Sequence, residues 1–479
     1  MNYLKERVEI ILLIVFVQIS LCSYSAGERT VIVKLRGVYE SGINVMAFDG
    51  VGFTLPAGEI AGVKPGVSVK FTIPEQLLPG EFLFRFEYRE KTGGKSLQSE
   101  IPLIINKEDI SVEANPQYLQ GDSLRLVNDR ENAAWSAFTV QNTQKRGQLG
   151  LLDQLCTGYT DHRSKVYRAA SEAFEKGRVS YNQWLDSVSG ADAGLYVSHL
   201  FQFQRLPEVK WEKSKEERIE WQADHWFDGF SFMDTLCLRS RQMNDYINSY
   251  VNLFGIRATD EQLRDSLFTR AGRMACDMAS SGTPRVYGWM VDYFYRGYEA
   301  YNIERGLKML GKYINDPRCM TSRKQEITRR LKGMKSLVRG SEAANLVAED
   351  GNGLKGEVDL KAPGREYRLV VFYDSDCSHC KELLGELRKW YEEPQNQTWF
   401  SIYTIALDER EETWKKAHAA NNFPWADLYA PGGVNSQVAS DYYVLSTPNL
   451  FVVDKNGKLA ATPSSVQELD KFLNGEDKN

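Results

Sequence analysis

The stretch that decides the reading is Leu369-Val370-Val371-Phe372-Tyr373-Asp374-Ser375-Asp376-Cys377-Ser378-His379-Cys380-Lys381-Glu382-Leu383-Leu384. Its first five residues form an apolar run rich in β-formers, closed by three polar loop residues. A helix comes directly after, with Leu383, Leu384, Leu387 and Trp390 on one side. Strand, Cys-x-x-Cys and helix in that order are the arrangement of a redox pair. In the first helical turn two sulfurs lie close enough to close and reopen a disulfide. The first of them sits where unpaired amides and the helix dipole favour thiolate over thiol. A zinc site would need two more ligands at a second knuckle, and the rest of the segment offers only His418. The helix-start placement decides for redox chemistry, and no metal is expected.

Some seventy residues later comes Ser446-Thr447-Pro448-Asn449-Leu450-Phe451-Val452-Val453-Asp454. Paired at this distance, the two motifs resemble the thioredoxin superfamily, and Thr447-Pro448 looks like its cis-proline loop. A strand over 399–407, a helix over 408–421 and another over 434–443 are expected between them. That extra insert, with a hairpin over 346–360 ahead of the motif, is similar to the TlpA/ResA-like branch of exported thiol–disulfide oxidoreductases. The resemblance implies an α/β thioredoxin fold over residues 344–479. It also implies catalysis by Cys377 and Cys380, with Thr447 and Pro448 aligning the substrate. The only redox group would be the Cys377–Cys380 disulfide, with no further cofactor. Its partners would be thiols and disulfides of other exported proteins and a membrane or periplasmic electron partner.

The sequence departs from thioredoxin at two places. Val371 stands where a buried Asp is usual, six residues before the first cysteine, and Asp376 stands where Trp is usual. The proton acceptor for the second thiol therefore stays open among Asp374, Asp376, Asp427 and a bound water. Two modulating charges oppose each other: protonated His379 favours the Cys377 thiolate, and Asp376 disfavours it. The direction of electron flow is not set by these four residues.

Upstream of this domain, residues 117–343 carry helical periodicity. Ile303, Leu307, Leu310 and Ile314 form one stripe, and Met290, Phe294 and Tyr298 another, with Pro284 near its start. Thr259 and Gln262 suggest a capping box. His199 and His225 lie among aromatics without a second local ligand, so they read as satisfied histidines rather than metal ligands. The Trp221, Trp226, Phe227, Phe230, Phe232 group reads as core.

Residues 27–116 alternate instead. Val67, Val69, Phe71 and Ile73 interleave with polar residues, as do Phe82, Phe84, Phe86 and Tyr88. Period two predicts half-buried strands in a small antiparallel β-sandwich. A β domain, a helical domain and a C-terminal thioredoxin resemble exported multidomain proteins of Bacteroidetes-type bacteria.

At the start, Lys5 and Arg7 precede an apolar run over 10–21 and small residues near 26. That order predicts a signal peptide over residues 1–26, hence a periplasmic or cell-envelope protein. Cys22 is a possible lipid-anchor position. Export would permit disulfides among Cys156, Cys237, Cys276 and Cys319, but their pairing is open and buried thiols explain them equally well. A net charge of −5 and the lack of any basic stripe exclude an electrostatic case for nucleic acid. Gly351-Asn352-Gly353-Leu354-Lys355-Gly356 matches a dinucleotide fingerprint in letters, but Glu357-Val358-Asp359-Leu360-Lys361-Ala362-Pro363 after it cannot open a helix, so it reads as a hairpin turn. A second function class remains: a cell-envelope binding or scaffold protein in which the thioredoxin-like unit is ancillary.

Overall fold

The structure is a computed structural model that describes residues 27–475. The expected signal over 1–26 and Cys22 lie outside the described residues. Among the described residues, no helix is long and apolar enough to cross a membrane. The chain forms two compact units: one runs to Gly306 and includes Pro317–Thr321, the other takes Leu307–Asp316 and everything from Ser322.

The first unit begins with eight strands: β1 (Arg29–Leu35), β2 (Glu40–Phe48), β3 (Phe53–Val63), β4 (Ser68–Ile73), β5 (Gly80–Arg89), β6 (Leu97–Ile105), β7 (Ile110–Ala114) and β8 (Leu124–Val127). They make two four-stranded sheets, β4-β1-β7-β8 and β3-β2-β5-β6. Phe71 and Ile73 of one sheet and Phe82, Phe84 and Phe86 of the other share a single core. The Phe71 and Phe84 rings meet edge to face at 6.4 Å, so period-two alternation has become an inter-sheet contact. Two details differ from expectation. The sandwich is not wholly antiparallel, because β1 and β7 run parallel; the whole second sheet separates them in sequence, which supplies the long crossover a parallel pair needs. It also runs past residue 116, since β8 pairs with β7.

Helices come next: α1 (Arg130–Gly158), α2 (Lys165–Ala191), α3 (Lys215–Asp224), α4 (Gln242–Gly255), α5 (Glu261–Ala279) and α6 (Pro284–Ala300). Met290, Phe294 and Tyr298 are buried, and Thr283 caps α6 ahead of Pro284. The expected capping box at Thr259 is displaced by one residue: Asp260 is the N-cap and accepts from Leu263 N. A carboxylate is the better acceptor there, and Thr259 hydrogen-bonds to it instead. The helices grip the sandwich through polar bonds. Asn132 exchanges two bonds with the backbone of Ile104, each 2.8 Å. Trp289 Nε1 donates to Gly50 O at 2.7 Å, and the buried Glu81 accepts from Arg241 N.

His199 lies 2.6 Å from Asp234, and His225 stacks on Trp221 and bonds its carbonyl. Phe227 and Phe232 are buried. Cys156, Cys237, Cys276 and Cys319 are buried as well. Cys156 and Cys237 carry free thiols.

The helices α7 (Glu304–Ile314) and α8 (Lys324–Ser336) complete the helical stretch. Residues 307–316 and all of α8 cluster with the second unit, so the compact units do not part at the expected boundary of 343. Beyond them lie β9 (Leu346–Glu349), β10 (Lys355–Val358), β11 (Tyr367–Tyr373), α9 (Ser378–Tyr391), α10 (Pro394–Trp399), β12 (Phe400–Ala406), α11 (Glu411–Asn421), β13 (Ala426–Tyr429), α12 (Gln437–Asp441), β14 (Asn449–Asp454), β15 (Leu459–Ala461) and α13 (Val466–Leu473). The seven strands form one sheet in the order β10-β9-β13-β12-β11-β14-β15. The strands β11, β12 and β13 are parallel, and β14 is antiparallel to β11.

The central β11 is covered on both faces, which explains its unbroken apolar run. Leu369, Val371 and Tyr373 pack with Leu383, Leu387 and Trp414 on one face. Val370 and Phe372 pack with Val438 and Tyr442 on the other. The glycine-rich segment is the β9–β10 turn: Asp350 N donates to Leu354 O, and Gly353 takes φ 76°, a conformation that favours glycine.

Candidate functional site

The site lies at the carboxyl end of β11, where the chain leaves the sheet through Asp374-Ser375-Asp376 and enters α9. Cys377 is the N-cap of α9, and its sulfur accepts the Cys380 N–H at 3.3 Å. One orphan amide of the first turn is thus spent on the sulfur itself, and the dipole of a fourteen-residue helix points its positive end at the same atom. Both cysteines are thiols here. Cys377 is half-buried and Cys380 is buried. Burial, and after it a hydrogen bond with Cys377, push the Cys380 thiol up to about 11, while the Thr447 side chain acts in the opposite direction. The pair is therefore asymmetric: an accessible sulfur at a helix end and a shielded one held as a thiol.

Of the other residues singled out, Thr447 and Pro448 are joined by a cis peptide bond. The Thr447 side chain acts on the Cys380 thiol, which places this loop beside the cysteine pair. His379 and Asp376 are both exposed beside the cysteines. The loop before Cys377 is anchored from below by Asp408, which comes just after β12. Its carboxylate accepts from Ser375 N at 3.2 Å and Ser375 Oγ at 3.1 Å. Burial is the chief cause of its raised pKa, with Asp374 and Asp376 adding repulsion. Sequence reading placed Asp408 at a helix start and missed this role. The signal available was topological, since groups just past the ends of adjacent parallel strands converge.

Val371 is fully buried, so no carboxylate stands at that position. Register explains where one went. Val371 pairs with Thr404 on β12, and Thr404 pairs with Asp427 on β13. The three share one rank and one face, and Asp427 lies two strand spacings away, about 10 Å. Its buried carboxylate accepts from Tyr373 Oη at 2.9 Å, Thr404 Oγ1 at 2.6 Å and Trp414 Nε1 at 3.2 Å. His418 Nδ1 lies 2.7 Å away. Tyr373 directly precedes the active loop, so Asp427 braces the end of β11. Asp374 and Asp376 stay in the loop, where Asp374 Oδ1 accepts from Asp376 N at 2.8 Å. A cleft of about 690 Å³ opens alongside, between α9 and α11, lined by the loop and by Lys381 and Lys416.

Residues 364–459 match a family model described as thioredoxin-like. The C-terminal domain is thioredoxin-like, and the chain is multidomain. No curated protein matches the chain. Among solved structures, the thioredoxin domain of a thiol-disulfide oxidoreductase from Bacteroides vulgatus is 28% identical, covering 29% of this chain and 99% of that one, with TM-score 0.26. A thiol:disulfide interchange protein from Bacteroides sp. is 30% identical over 30% of this chain and 95% of that one, with TM-score 0.26. A thioredoxin-like protein from Bacteroides caccae is 17% identical over 57% of this chain and 98% of that one, with TM-score 0.37.

Proposed function

We propose that the protein is an exported thiol–disulfide oxidoreductase that acts on cysteines of other exported proteins. The observation that carries this reading is the asymmetry of the pair: Cys377 caps α9 with its sulfur, while Cys380 is buried and kept protonated. The Cys377 thiolate attacks one sulfur of a substrate disulfide and expels the other as a thiolate, giving a mixed disulfide. Cys380 then loses its proton and attacks Cys377 Sγ. The second substrate thiolate leaves, the substrate has gained two electrons, and the enzyme holds the Cys377–Cys380 disulfide. A dithiol electron partner restores the reduced form, and run in reverse the enzyme donates its disulfide. Thr447 and Pro448 hold the substrate chain as an added strand beside the sulfurs.

The Asp427 carboxylate is already engaged by Tyr373, Thr404 and Trp414, so we assign the proton of Cys380 to solvent or a loop carboxylate. Export rests on the charge and hydropathy order of residues 1–26, and Cys22 is the position at which an acyl anchor would attach.

Titrating the pair against glutathione or dithiothreitol buffers, with alkylation and mass readout, tests the enzyme reading. A single two-electron transition confined to Cys377 and Cys380 is expected. Its absence would leave only the binding role. Cell fractionation with the mass of the mature N-terminus tests export.

A further inference from the structure

We propose that α8 carries a membrane-docking face, a stripe of unpaired cations that lies against a bilayer of anionic phospholipid. Charge counted along the chain shows no basic stripe, and the chain as a whole is acidic at −5. Winding residues 324–336 into a helix makes one. Lys324, Thr328, Lys332 and Lys335 fall within an arc of about 80° around the axis. The three lysines are exposed, and the first and last stand roughly 16 Å apart along the helix. Arg339, just past its end, is exposed too.

The helix is held by its other sides. Ile327 and Gly333 are buried, and a Cβ on Gly333 would meet Tyr443 at 2.7 Å. Arg329 Nη1 donates to Val434 O at 2.8 Å. The lysine face is therefore the one left to solvent.

No carboxylate offsets these charges. Among the described residues none of Lys324, Lys332, Lys335 and Arg339 forms an ion pair. Glu326, the one acidic residue of α8, lies outside the arc and is bonded to Arg323 at 2.7 Å. Elsewhere in the same unit helices place a carboxylate one turn from a cation, as in Lys415–Glu411 at 2.7 Å and Arg388–Glu392 at 3.6 Å.

The pattern works against the helix that bears it. Lys332 and Lys335 are neighbours at i,i+3 and repel. The helix dipole favours Lys335 in the last turn but opposes Lys324 in the first. Arg329 adds its charge from the partly buried side, where Nε and Nη2 have no hydrogen-bond partner. Like charges that weaken their own element are expected where something of opposite sign must be met.

Residue type chooses the partner. An arginine fork reads a single carboxylate or phosphate bidentately, whereas a lysine ammonium is a mobile point charge. Lysines along a convex face suit phosphates spread over a plane. Val338, exposed just past the helix, adds an apolar contact at the depth of the headgroups.

The test is cosedimentation of the full-length protein with vesicles of phosphatidylglycerol and phosphatidylcholine, and with vesicles of phosphatidylcholine alone. The apolar run over 10–21 would bind both alike, so their difference isolates the stripe. We expect preference for the anionic vesicles, lost at high salt. The Lys324→Gln/Lys332→Gln/Lys335→Gln triple should weaken binding to them about a hundredfold, roughly fivefold per lysine. Lys70→Gln/Lys91→Gln/Lys95→Gln makes the same change of net charge at exposed sites in the first unit and should bind like the wild type. Thermal unfolding should show the α8 triple at least as stable as the wild type. The proposal is overturned by equal binding to both kinds of vesicle or by equal losses in the two triples. It is overturned as well if poly-glutamate or duplex DNA is bound and the anionic vesicles are not.

Discussion

Cysteine is used in opposite ways by the two parts of this molecule. In the helical region Cys237 is buried, donates its S–H to Asp234 O at 2.8 Å, and has its pKa driven up by burial. It is a small apolar side chain with one weak donor, satisfied where it stands. In the thioredoxin-like domain Cys377 is the residue that ends a loop and starts a helix, with its sulfur collecting an amide and a dipole. Cys380, three residues on, shares the burial of Cys237 but lies against another sulfur. On the proposed function, what separates Cys377 from Cys237 is position on a helix and not the side chain.

The widest gap between the two regions should appear in activity. Replacing Cys377 by Ser is expected to lower disulfide reduction by roughly 10³-fold or more, while Cys237→Ala leaves it unchanged in the same assay. A comparable loss in both variants would break the contrast. Within the pair, Cys380→Ser should accumulate mixed disulfides through Cys377. If Cys377→Ser traps substrate and Cys380→Ser does not, the roles of the two sulfurs are the reverse of those assigned here.

Alkylation sharpens the same point. A thiol moved from 9.0 to about 11 holds roughly a hundredfold less thiolate at neutral pH. Iodoacetamide with peptide mapping should then modify Cys377 first and spare Cys380 until strongly alkaline pH. The same shift has a sign for stability. The folded reduced protein keeps a proton that the unfolded chain releases, so stability falls as pH rises from 9.0 toward about 11.

The support beneath the site is a matter of folding free energy. Asp427→Ala leaves the Tyr373, Thr404 and Trp414 donors buried without their acceptor. The expected cost is about 3–5 kcal/mol in denaturant unfolding. A cost under about 1 kcal/mol would show that water replaces the carboxylate freely. Smallest of all, Trp289→Phe removes the donor to Gly50 O and part of a buried ring, and about 1–2 kcal/mol should be lost from the first unit.

Much of this was readable along the chain. Alternation at Phe82, Phe84 and Phe86 specified a sheet with one buried face, and the stripe at Met290, Phe294 and Tyr298 specified a helix with one. Cys377 and Cys380 could be placed at a helix start because a Cys-x-x-Cys pair, its preceding strand and its trailing amphipathic run are all local. Patterns of this kind survive in sequence because they repeat within a few residues, at the period of the element itself.

The rest involves residues far apart in sequence. The Thr447 contact with Cys380, the Asp408 anchor under Ser375 and the rank Val371, Thr404, Asp427 each join different strands or loops. No local period records which strand lies next to which. Local pattern settled what each segment becomes and which two sulfurs are close. Packing settled which charges are buried beneath them, because strand order and helix docking are set by burial across the whole chain and not by neighbours along it.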